Sequence, residues 1–547
     1  MQTSLIVPSS KTVAVEMQNE FGSIPPVLVP MMGKIAFRRI MDGYQGQPIK
    51  AYIGIQENAE AVVDYFRFFP EESTKLVMLD PTESISDTLE QVIMSDSAIL
   101  DGPSIINFAD TIVADMDPDL IGKDFISCCN TVETERWTLF KDMKGKISDI
   151  SDKEFRMDPE NWKTFIGVWG VANTGKFFEI MHRENEANKR EAFYKTIKSY
   201  YNQSRETIFA ESRDWMDCGH VDNYYFARRR LMNTRFFNKV RFGSSVSSLV
   251  KTSSETEKLA NEINWYLTIP SDLRYYVPHI FNHSADNKKP SIEMEYYSYP
   301  SLDDCFVYAR FDFDTWNKIF ERLFSIIRIA SKHTNVDPKI HEDLRQMYLD
   351  KTLQRLRTYV DESNDPSIEK MVWRSRDKKR SISMREFQES LPELIKKFGL
   401  YEVPKFQVIH GDLCFSNILY DSKHGITKLI DPRGAFGRPS VFGDVYYDLA
   451  KLSHSALGFY DFIMFDQYRI VEDKDRLPSI VWRASDYHDV IGEIFVKHLE
   501  SSGYDLRRTR FLEALLFISM LPLHKDSPAR QKAMLLRGFK ILCDLLE

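Results

Sequence analysis

The stretch VIHGDLCFSNILY (residues 408–420) and the stretch TKLIDPRGAFG (427–437) place polar side chains at the ends of apolar runs. Such side chains are costly to bury, and strand ends usually need only turn-forming residues. A tight glycine turn puts Asp412 on a loop, and Asn417 stands just before the next apolar run. We expect two hairpin-related strands to bring Asp412, Asn417 and Asp431 to one edge.

This combination of side chains suits phosphoryl transfer. One carboxylate accepts or orients the proton of an attacking hydroxyl group, while an amide oxygen and a second carboxylate hold Mg²⁺ on nucleotide phosphates. His410 is placed to brace the loop by hydrogen bonding. Asp and Asn also form turns, so a pair of ordinary turns is the alternative interpretation.

The pattern HGDxxxxN followed by IDPRG resembles the aminoglycoside phosphotransferase and choline kinase superfamily, a branch of the protein-kinase-like fold. The resemblance implies ATP and Mg²⁺ as cofactors, Asp412 as catalytic base, and Asn417 and Asp431 as metal ligands. The basic residue usual in the catalytic loop of protein kinases is absent. That absence favours a small molecule as the phosphate acceptor.

The segment before this region supplies the other parts of a kinase. SSLVKTS (247–253) puts Lys251 on a predicted strand, where it suits contact with nucleotide phosphates. The next helix offers Glu262 on its apolar face, so Lys251 and Glu262 resemble the ion pair of kinases. Glu255 and Glu257 are competing partners for the lysine.

The segment MEYYSYPSL (294–302) resembles the hinge strand of the family, which implies that Met294, Glu295 and Tyr296 lie near the adenine base. A glycine-rich phosphate loop is represented only by Gly243 and the serines after it. Further on, FGDVYYDLAKL carries Asp444 and Asp448, which resemble the family's helix that stabilises the catalytic core.

The first part of the chain alternates short β-type runs with helical stretches, which predicts an α/β fold with a mostly parallel sheet. The runs predicted as strands are residues 4–8, 49–55, 74–80, 103–110, 124–132 and 164–171. The segment GVANTGK (170–176) nearly spells a nucleotide-binding P-loop. Phe177 stands where the motif needs a hydroxyl group, so a turn into a helix is the plainer interpretation.

The stretch PPVLVPMMGKIAFRRIMDGY (25–44) resembles the opening motif of sugar-phosphate nucleotidyltransferases, which have a GT-A-type, Rossmann-like fold. INFADTIV and WMDCGH then imply Asp110 and Asp217 as metal ligands, with CTP or another nucleoside triphosphate as substrate. The loop after the first strand lacks glycine before Gly22 and arginine before Arg38. Binding without catalysis, and Asp110 and Asp217 as ordinary turn residues, therefore stay open.

Length and composition limit the class of protein and the number of domains. The 547 residues are 43% hydrophobic and 28% charged with a net charge of −8, which argues against general nucleic-acid binding. The six cysteines form no CxxC pair, and we find no signal peptide or membrane span, so a cytoplasmic protein is expected. We predict a nucleotidyltransferase-like domain at 1–230 and a kinase-like α+β domain at 231–547, whose N-lobe ends near residue 300.

The junction WMDCGH and RFFN resembles two-domain proteins of bacterial capsule and surface-polysaccharide biosynthesis. Our main hypothesis is an ATP-dependent kinase for a small alcohol or sugar, whose product the N-terminal domain joins to a nucleotide. Two alternatives stay open. One is a nucleotidyltransferase whose kinase-like half is regulatory, and the other is a non-catalytic scaffold in polysaccharide assembly.

Overall fold

The computed structural model describes residues 2–130, 133–143, 145–204, 206–232, 238–242, 247–284, 286, 289–363, 372–374, 381–472 and 478–546. The chain forms two compact units. The first comprises Met1–Arg230 with Tyr308–Arg310, and the second comprises Leu231–Val307 with Phe311–Glu547. The predicted phosphate loop at Gly243 lies outside the described residues.

The first unit is built on a central β-sheet. Its strands are β1 (Thr3–Ser9), β2 (Ile49–Ile55), β3 (Thr74–Met78), β4 (Ser104–Asn107), β5 (Thr111–Val113), β6 (Phe125–Cys129), β7 (Thr138–Asp142), β8 (Ile147–Asp152), β9 (Lys163–Val171), β10 (Ile208–Glu211) and β11 (Trp215–Asp217). Its helices are α1 (Val15–Phe21), α2 (Ala36–Asp42), α3 (Ala59–Phe68), α4 (Ile85–Met94), α5 (Ser97–Leu100), α6 (Thr174–Asn188), α7 (Ala192–Gln203) and α8 (Val221–Met232).

The sheet has the strand order β10-β6-β9-β4-β1-β2-β3, with the β7–β8 hairpin joined to β9. Strand β1 runs parallel to both β2 and β4, and β2 runs parallel to β3. Every residue of β1 is buried, as expected for a strand covered on both faces. The predicted α/β fold is confirmed for this unit, but the sheet is mixed, because β9 runs antiparallel to β4, β6 and β7. Strands β5 and β11 form a separate antiparallel pair.

Each run predicted as a strand in this unit contains one. The β7–β8 hairpin escaped prediction because acidic residues interrupt its apolar pattern, as in ISDISD (147–152). The near-P-loop is the turn between β9 and α6. Asn173 caps that helix by accepting a hydrogen bond from the Lys176 amide at 2.9 Å, and Phe177 is buried in the core.

The second unit begins with a small sheet and continues with a mainly helical region. Its strands are β12 (Asn238–Phe242), β13 (Ser248–Ser253), β14 (Ile280–His283), β15 (Ser291–Glu295), β16 (Thr334–Asn335), β17 (Val372–Arg374), β18 (Ser381–Ser383), β19 (Phe406–Val408), β20 (Ile418–Asp421), β21 (Ile426–Leu429), β22 (Ala435–Phe436), β23 (Arg438–Pro439), β24 (Phe442–Gly443), β25 (Tyr468–Glu472) and β26 (Pro478–Trp482).

The helices of the second unit are α9 (Thr256–Thr268), α10 (Leu302–Tyr308), α11 (Phe313–Ala330), α12 (Ile340–Arg345), α13 (Lys351–Ser363), α14 (Met384–Lys397), α15 (Val445–Ala456), α16 (Tyr460–Met464), α17 (Asp486–Ser501), α18 (Leu506–Ser519) and α19 (Pro528–Leu545). A π-helical segment, Gln346–Asp350, connects α12 to α13. The N-terminal sheet is antiparallel in the order β12-β13-β15-β14.

The helical region packs around α15 and α18. Residues 447–456 of α15 and 511–519 of α18 are all buried, which identifies both helices as central elements of the core. This region also contains the β17–β18 and β25–β26 hairpins, which the sequence analysis did not predict. Within the described part of the chain, no helix combines the length and apolar character needed to cross a membrane.

The loop after β21 packs tightly against α9. Gly434 has a left-handed backbone conformation with φ +63°, and a Cβ atom there would overlap the backbone of Asn261. Gly425, in the turn between β20 and β21, has a similar φ of +64° but no atom within 4 Å of such a Cβ. A substitution at Gly425 would therefore introduce backbone strain alone, whereas one at Gly434 would introduce both backbone strain and steric overlap.

We predict that Gly434→Ala destabilises the protein much more than Gly425→Ala. The left-handed conformation alone costs an alanine about 1 to 2 kcal/mol. Overlap with α9 raises the expected loss at Gly434 to about 3 kcal/mol or more. Urea unfolding followed by tryptophan fluorescence measures both variants, and equal losses would contradict close packing of this loop on α9.

Candidate functional site

The β20–β21 hairpin brings the predicted metal ligands to the same end of one small sheet. Ile418 lies opposite Leu429 in the antiparallel register. One residue beyond that pair, the Ile430 amide donates to the Asn417 carbonyl at 3.0 Å. Asn417 and Asp431 are thus next to each other in space, as the sequence predicted from the ends of the apolar runs.

His410 links the loop that carries Asp412 to the strand that leads to Asp431. Its Nε2 donates to the Ile430 carbonyl at 2.9 Å, and its Nδ1 accepts from the Asp412 amide at 3.3 Å. Burial lowers the pKa of His410 to about 4, so the ring is neutral at pH 7 and serves as a brace. This matches the structural role predicted for it.

Asp448, on α15, fixes the backbone of the same loop by hydrogen bonds. Its two carboxylate oxygens accept hydrogen bonds from the amides of His410, at 2.7 Å, and Gly411, at 2.8 Å. Burial raises the pKa of Asp448 to about 7. Asp444 caps α15 through the Tyr446 amide and accepts a hydrogen bond from Tyr348, so Asp444 supports the loop indirectly, through α15.

Asp412 is the half-exposed carboxylate at the centre of the site. Its Oδ1 lies 2.8 Å from the Nζ of Lys451, and its side chain is 40% exposed whereas that of Lys451 is 9% exposed. Burial disfavours the ionised form, but the charge of Lys451 outweighs that effect and lowers the pKa of Asp412. The residue is therefore an ionised carboxylate that solvent and small molecules can reach.

Asn417 and Asp431 have the donor atoms that Mg²⁺ prefers. The Asn417 amide nitrogen donates to the Asp412 carbonyl at 2.8 Å, which leaves the amide oxygen available to a cation. Asp431 has a strained backbone with φ +58°, and 46% of its side chain is exposed. Two oxygen ligands are enough for Mg²⁺ when nucleotide phosphates supply others. The described residues contain no larger cluster of Asp, Glu, His or Cys suited to a metal.

Lys251 joins the N-terminal sheet to the same site. Its Nζ lies 2.7 Å from Oε2 of Glu262 on α9 and 2.9 Å from Oδ1 of Asp431. Burial opposes the charge on Lys251, yet Asp431 and Glu262 raise its pKa. Burial also raises the pKa of Glu262 to about 7, although Lys251 partly offsets this effect.

Of the three glutamates considered as ion-pair partners of Lys251, the structure selects Glu262. Glu255 stands at the N-terminal cap of α9 and pairs with Lys258. Glu257 is exposed in the first turn of the helix. The apolar face of α9 therefore selects the one glutamate that the pattern placed on it.

The predicted hinge residues follow directly from the sheet. Met294 is buried on β15 opposite Leu249 of β13, and the Tyr296 amide donates to the Ser247 carbonyl at 2.8 Å. The Glu295 carboxylate accepts a hydrogen bond from Tyr297. Met294, Glu295 and Tyr296 thus lie at the end of the strand next to the one that carries Lys251.

Sequence reasoning missed Lys451 as a site residue. It lies one helical turn after Asp448 in DLAKL, so both side chains face the loop that carries Asp412. That spacing was a usable signal. Arg433, in the DPRG segment, was also missed, and its Nη1 donates to Tyr447 Oη at 2.7 Å.

In the first unit, Asp110 and Asp217 are neighbours. Strands β5 and β11 pair antiparallel with Asp217 opposite Thr111, and the Cys218 amide donates to the Asp110 carbonyl at 2.8 Å. Burial and the charge of Asp217 raise the pKa of Asp110. Asp217 also accepts hydrogen bonds from the His220 ring, from the backbone amide of Gly219 and from the side-chain amide of Asn223.

A cavity of about 480 Å³ opens beside this carboxylate pair. It is lined by aromatic and polar side chains, among them Trp137, Trp215, Asp217, Asn223 and Arg230. Trp137 and Trp215 pack edge to face with ring centroids 5.3 Å apart. The cavity is large enough for a small ligand that offers both an apolar face and polar groups.

The loop after β1 differs from a glycine-rich phosphate loop. Its Thr12 amide donates to Glu57 Oε2 at 3.1 Å, and the Glu57 amide donates to the Ser10 carbonyl at 3.0 Å. A carboxylate therefore occupies the position next to the loop amide. This arrangement agrees with the absence of glycine and arginine noted from the sequence.

Sequence comparison identifies the class of the second unit. Residues 250–474 match the phosphotransferase enzyme family APH, so this unit contains a domain of that family. The predicted kinase-like fold of the C-terminal domain is thereby confirmed. No protein among the curated sequences matches the chain significantly.

Two solved structures illustrate the similarity of the N-terminal region to known proteins. The inositol-1-phosphate CTP transferase from T. maritima is 11% identical, covers 43% of this chain and 98% of its own, and has a TM-score of 0.34. HddC from Yersinia pseudotuberculosis is 14% identical, covers 42% of this chain and 100% of its own, and has a TM-score of 0.32.

We predict that Lys251→Met destabilises the protein more at pH 8 than at pH 5. A carboxyl group whose folded pKa exceeds its unfolded value of about 4.3 makes stability fall as pH rises between the two values. Loss of Lys251 raises the pKa of buried Glu262 further. We expect a loss of about 3 kcal/mol or more at pH 8 and much less at pH 5 in urea unfolding.

The matched control is the double variant Lys251→Met with Glu262→Gln. It removes the buried carboxylate together with its cation, so the difference between the two pH values should largely disappear. Equal destabilisation of Lys251→Met at pH 5 and pH 8 would show that Lys251 does not stabilise the ionised form of buried Glu262.

Proposed function

We propose that the second unit is an ATP- and Mg²⁺-dependent phosphotransferase that acts on a hydroxyl group of a small sugar, polyol or amino alcohol. The match to the phosphotransferase family supports the class of reaction. The observation that carries the proposal is the contact of Lys251 with both Glu262 and Asp431. We assign its N-lobe to residues 231 to about 300 and its C-lobe to the remainder.

Asp412 is the proposed catalytic base. The acceptor oxygen attacks the γ-phosphorus of ATP, the bond to the leaving ADP oxygen breaks, and Asp412 takes the hydroxyl proton. Lys451 keeps Asp412 ionised and fixes one of its oxygens, so the other oxygen is available to the acceptor. His410 and Asp448 hold the loop in the required position.

The nucleotide is proposed to bind between the hinge and the DPRG segment. Met294, Glu295 and Tyr296 border the adenine base, and Lys251 contacts the phosphates. Asn417 and Asp431 would hold Mg²⁺, which neutralises charge on the phosphate oxygens. Because Lys251 already contacts Asp431, the cation and the lysine would share that carboxylate.

A second activity is proposed for the first unit. Asp110 and Asp217 would hold a divalent cation for attack by a phosphate on the α-phosphate of CTP or another nucleoside triphosphate. Asp110 directly precedes Thr111, which lies opposite Asp217 in the pair of β5 and β11, and this proximity favours the activity over ordinary turns. The phosphomonoester from the second unit would then be the substrate of the first, in a route to a surface polysaccharide.

The first test is incubation with ATP, CTP, Mg²⁺ and a panel of small alcohols and sugars, followed by phosphorus NMR. A phosphomonoester signal supports the kinase activity, and a further diphosphate diester signal supports transfer by the first unit. ATP binding without any product would contradict both activities and favour the scaffold alternative.

We predict that Asp412→Asn lowers the rate of ADP formation by about a hundredfold to ten-thousandfold, the usual contribution of a general base. ATP affinity should stay within about twofold because the nucleotide contacts are on other residues. Asp526→Asn, at an exposed carboxylate, is the matched control and should keep the native rate. A native rate in Asp412→Asn would remove this residue from the mechanism.

We also predict that Asp110→Asn abolishes formation of the diphosphate diester and leaves ADP formation unchanged. The substitution keeps the size of the side chain and removes the charge that a divalent cation needs. Phosphorus NMR follows both products in one sample. Continued diester formation in this variant would contradict the metal role of Asp110.

A further inference from the structure

A group of basic side chains lies beside Asp412 and converges on Tyr447, and we call it the basic cluster. Its members come from α13, from the DPRG segment and from α15: Lys351, Arg355, Arg433 and Lys451. Lys351 and Arg355 are one helical turn apart, just after the π-helical segment that leads into α13. π-helical turns occur frequently at functional sites.

The contacts of the cluster centre on the ring and hydroxyl group of Tyr447. Arg433 donates to Tyr447 Oη at 2.7 Å, and the Nζ of Lys351 lies 5.9 Å from the ring centroid. Arg355 donates to the Ser519 carbonyl at 2.9 Å, which anchors it to α18. Lys351, Arg355 and Arg433 are half-buried, so a small ligand can reach them.

Positive charge in the cluster exceeds the negative charge around it. Lys451 pairs with Asp412, whereas no carboxylate of the described residues lies within ion-pair distance of Lys351, Arg355 or Arg433. The nearby Asp461 is fully buried, and burial together with the adjacent Asp303 raises its pKa well above the usual range of a carboxyl group.

The pKa values of Tyr447 and Lys351 agree with this excess of positive charge. Burial raises the pKa of a tyrosine, yet Arg433, Lys351 and Lys451 outweigh burial and lower the pKa of Tyr447 to about 7. Burial, reinforced by Arg433 and Arg355, lowers the pKa of Lys351 to about 8. Unpaired, partly buried cations are costly, and a bound anion would remove that cost.

We propose that the basic cluster binds an anionic group of the phosphate acceptor. The acceptor is then a hydroxyl compound that also carries a carboxylate or a phosphate. Arginine and lysine side chains with a tyrosine hydroxyl are suited to the oxygens of both groups. This inference rests on the proposed function because it uses Asp412 as the base that marks the acceptor position.

The position of the cluster distinguishes it from the nucleotide site. Lys351, Arg355 and Lys451 belong to helices of the C-lobe, whereas Lys251 belongs to a strand of the N-lobe sheet. Cationic amino alcohols would be repelled by the cluster, and neutral sugars would leave its charges unpaired. The inference therefore narrows the range of acceptors that the sequence left open.

Binding is tested by calorimetric titration of the full chain with inorganic phosphate and, separately, with tartrate. Saturating Mg²⁺ and a nonhydrolysable ATP analogue fill the γ-phosphate position, so phosphate cannot bind there. Lys351→Met and Arg355→Met should each weaken anion binding by about tenfold or more. Arg357→Met changes the same charge on the exposed face of the same helix and should stay within about twofold.

Lys351→Met guards against a loss caused by misfolding, because among the described residues Lys351 forms no ion pair and contacts only Met347 Sδ, at 4.0 Å, and the ring of Tyr447. Its thermal unfolding should match that of the native chain. Undetectable anion binding to the native protein, or equal affinity in Lys351→Met, Arg355→Met and Arg357→Met, would overturn the inference.

Turnover separates the two kinds of acceptor and tests the proposed function independently. ADP formation is compared for glycerol, glycerate and glycerol phosphate, and we expect an anionic compound to react at least tenfold faster than glycerol. Faster turnover of glycerol would overturn the inference and leave the kinase intact. Cluster-dependent anion binding without ADP from any compound would contradict the proposed kinase and leave the anion site standing.

Discussion

The constraint on which the kinase-like site depends is the attachment of one backbone turn to one buried carboxylate. Asp448 accepts hydrogen bonds from two successive amides, those of His410 and Gly411, so the turn that carries Asp412 is held by the central helix α15. Gly411 has φ +78°, and a Cβ atom there would crowd the side chain of Arg433. The turn is therefore fixed to the core of the unit. This attachment also fixes the positions of the functional side chains next to the turn, Asp412 among them.

Electrostatics around this turn divide into two regions with different consequences. On one side, Lys251 contacts two carboxylates, Glu262 and Asp431, in a compact network that a nucleotide and its cation would reorganise. On the other side, Lys451 is balanced by Asp412, but its neighbours around Tyr447 form no ion pair with any carboxylate in the described part of the chain. Buried charge without a partner usually reflects a ligand or a functional role rather than stability.

In the first unit, strand pairing also fixes the positions of two carboxylates, but the loop after β1 is less suited to a ligand. A separate two-stranded sheet, formed by β5 and β11, places Asp110 beside Asp217 next to a cavity lined in part by tryptophan. The loop after β1 is tied down by Glu57 and has no glycine to let its amides approach phosphates freely. The first unit thus has the pair of neighbouring carboxylates that the sequence predicted, whereas its loop after β1 lacks the features of a phosphate-binding loop.

The sequence by itself determined the local features. Continuous apolar runs predicted the buried strands, including residues 49–55 of β2, and the spacing of Asp412, Asn417 and Asp431 predicted that they would meet. Only the tertiary structure decided which glutamate pairs with Lys251, that Lys451 holds Asp412, and that Lys351, Arg355 and Arg433 converge on Tyr447. These contacts join segments far apart in the chain, and local periodicity determines which face of an element is buried but not which distant face it meets.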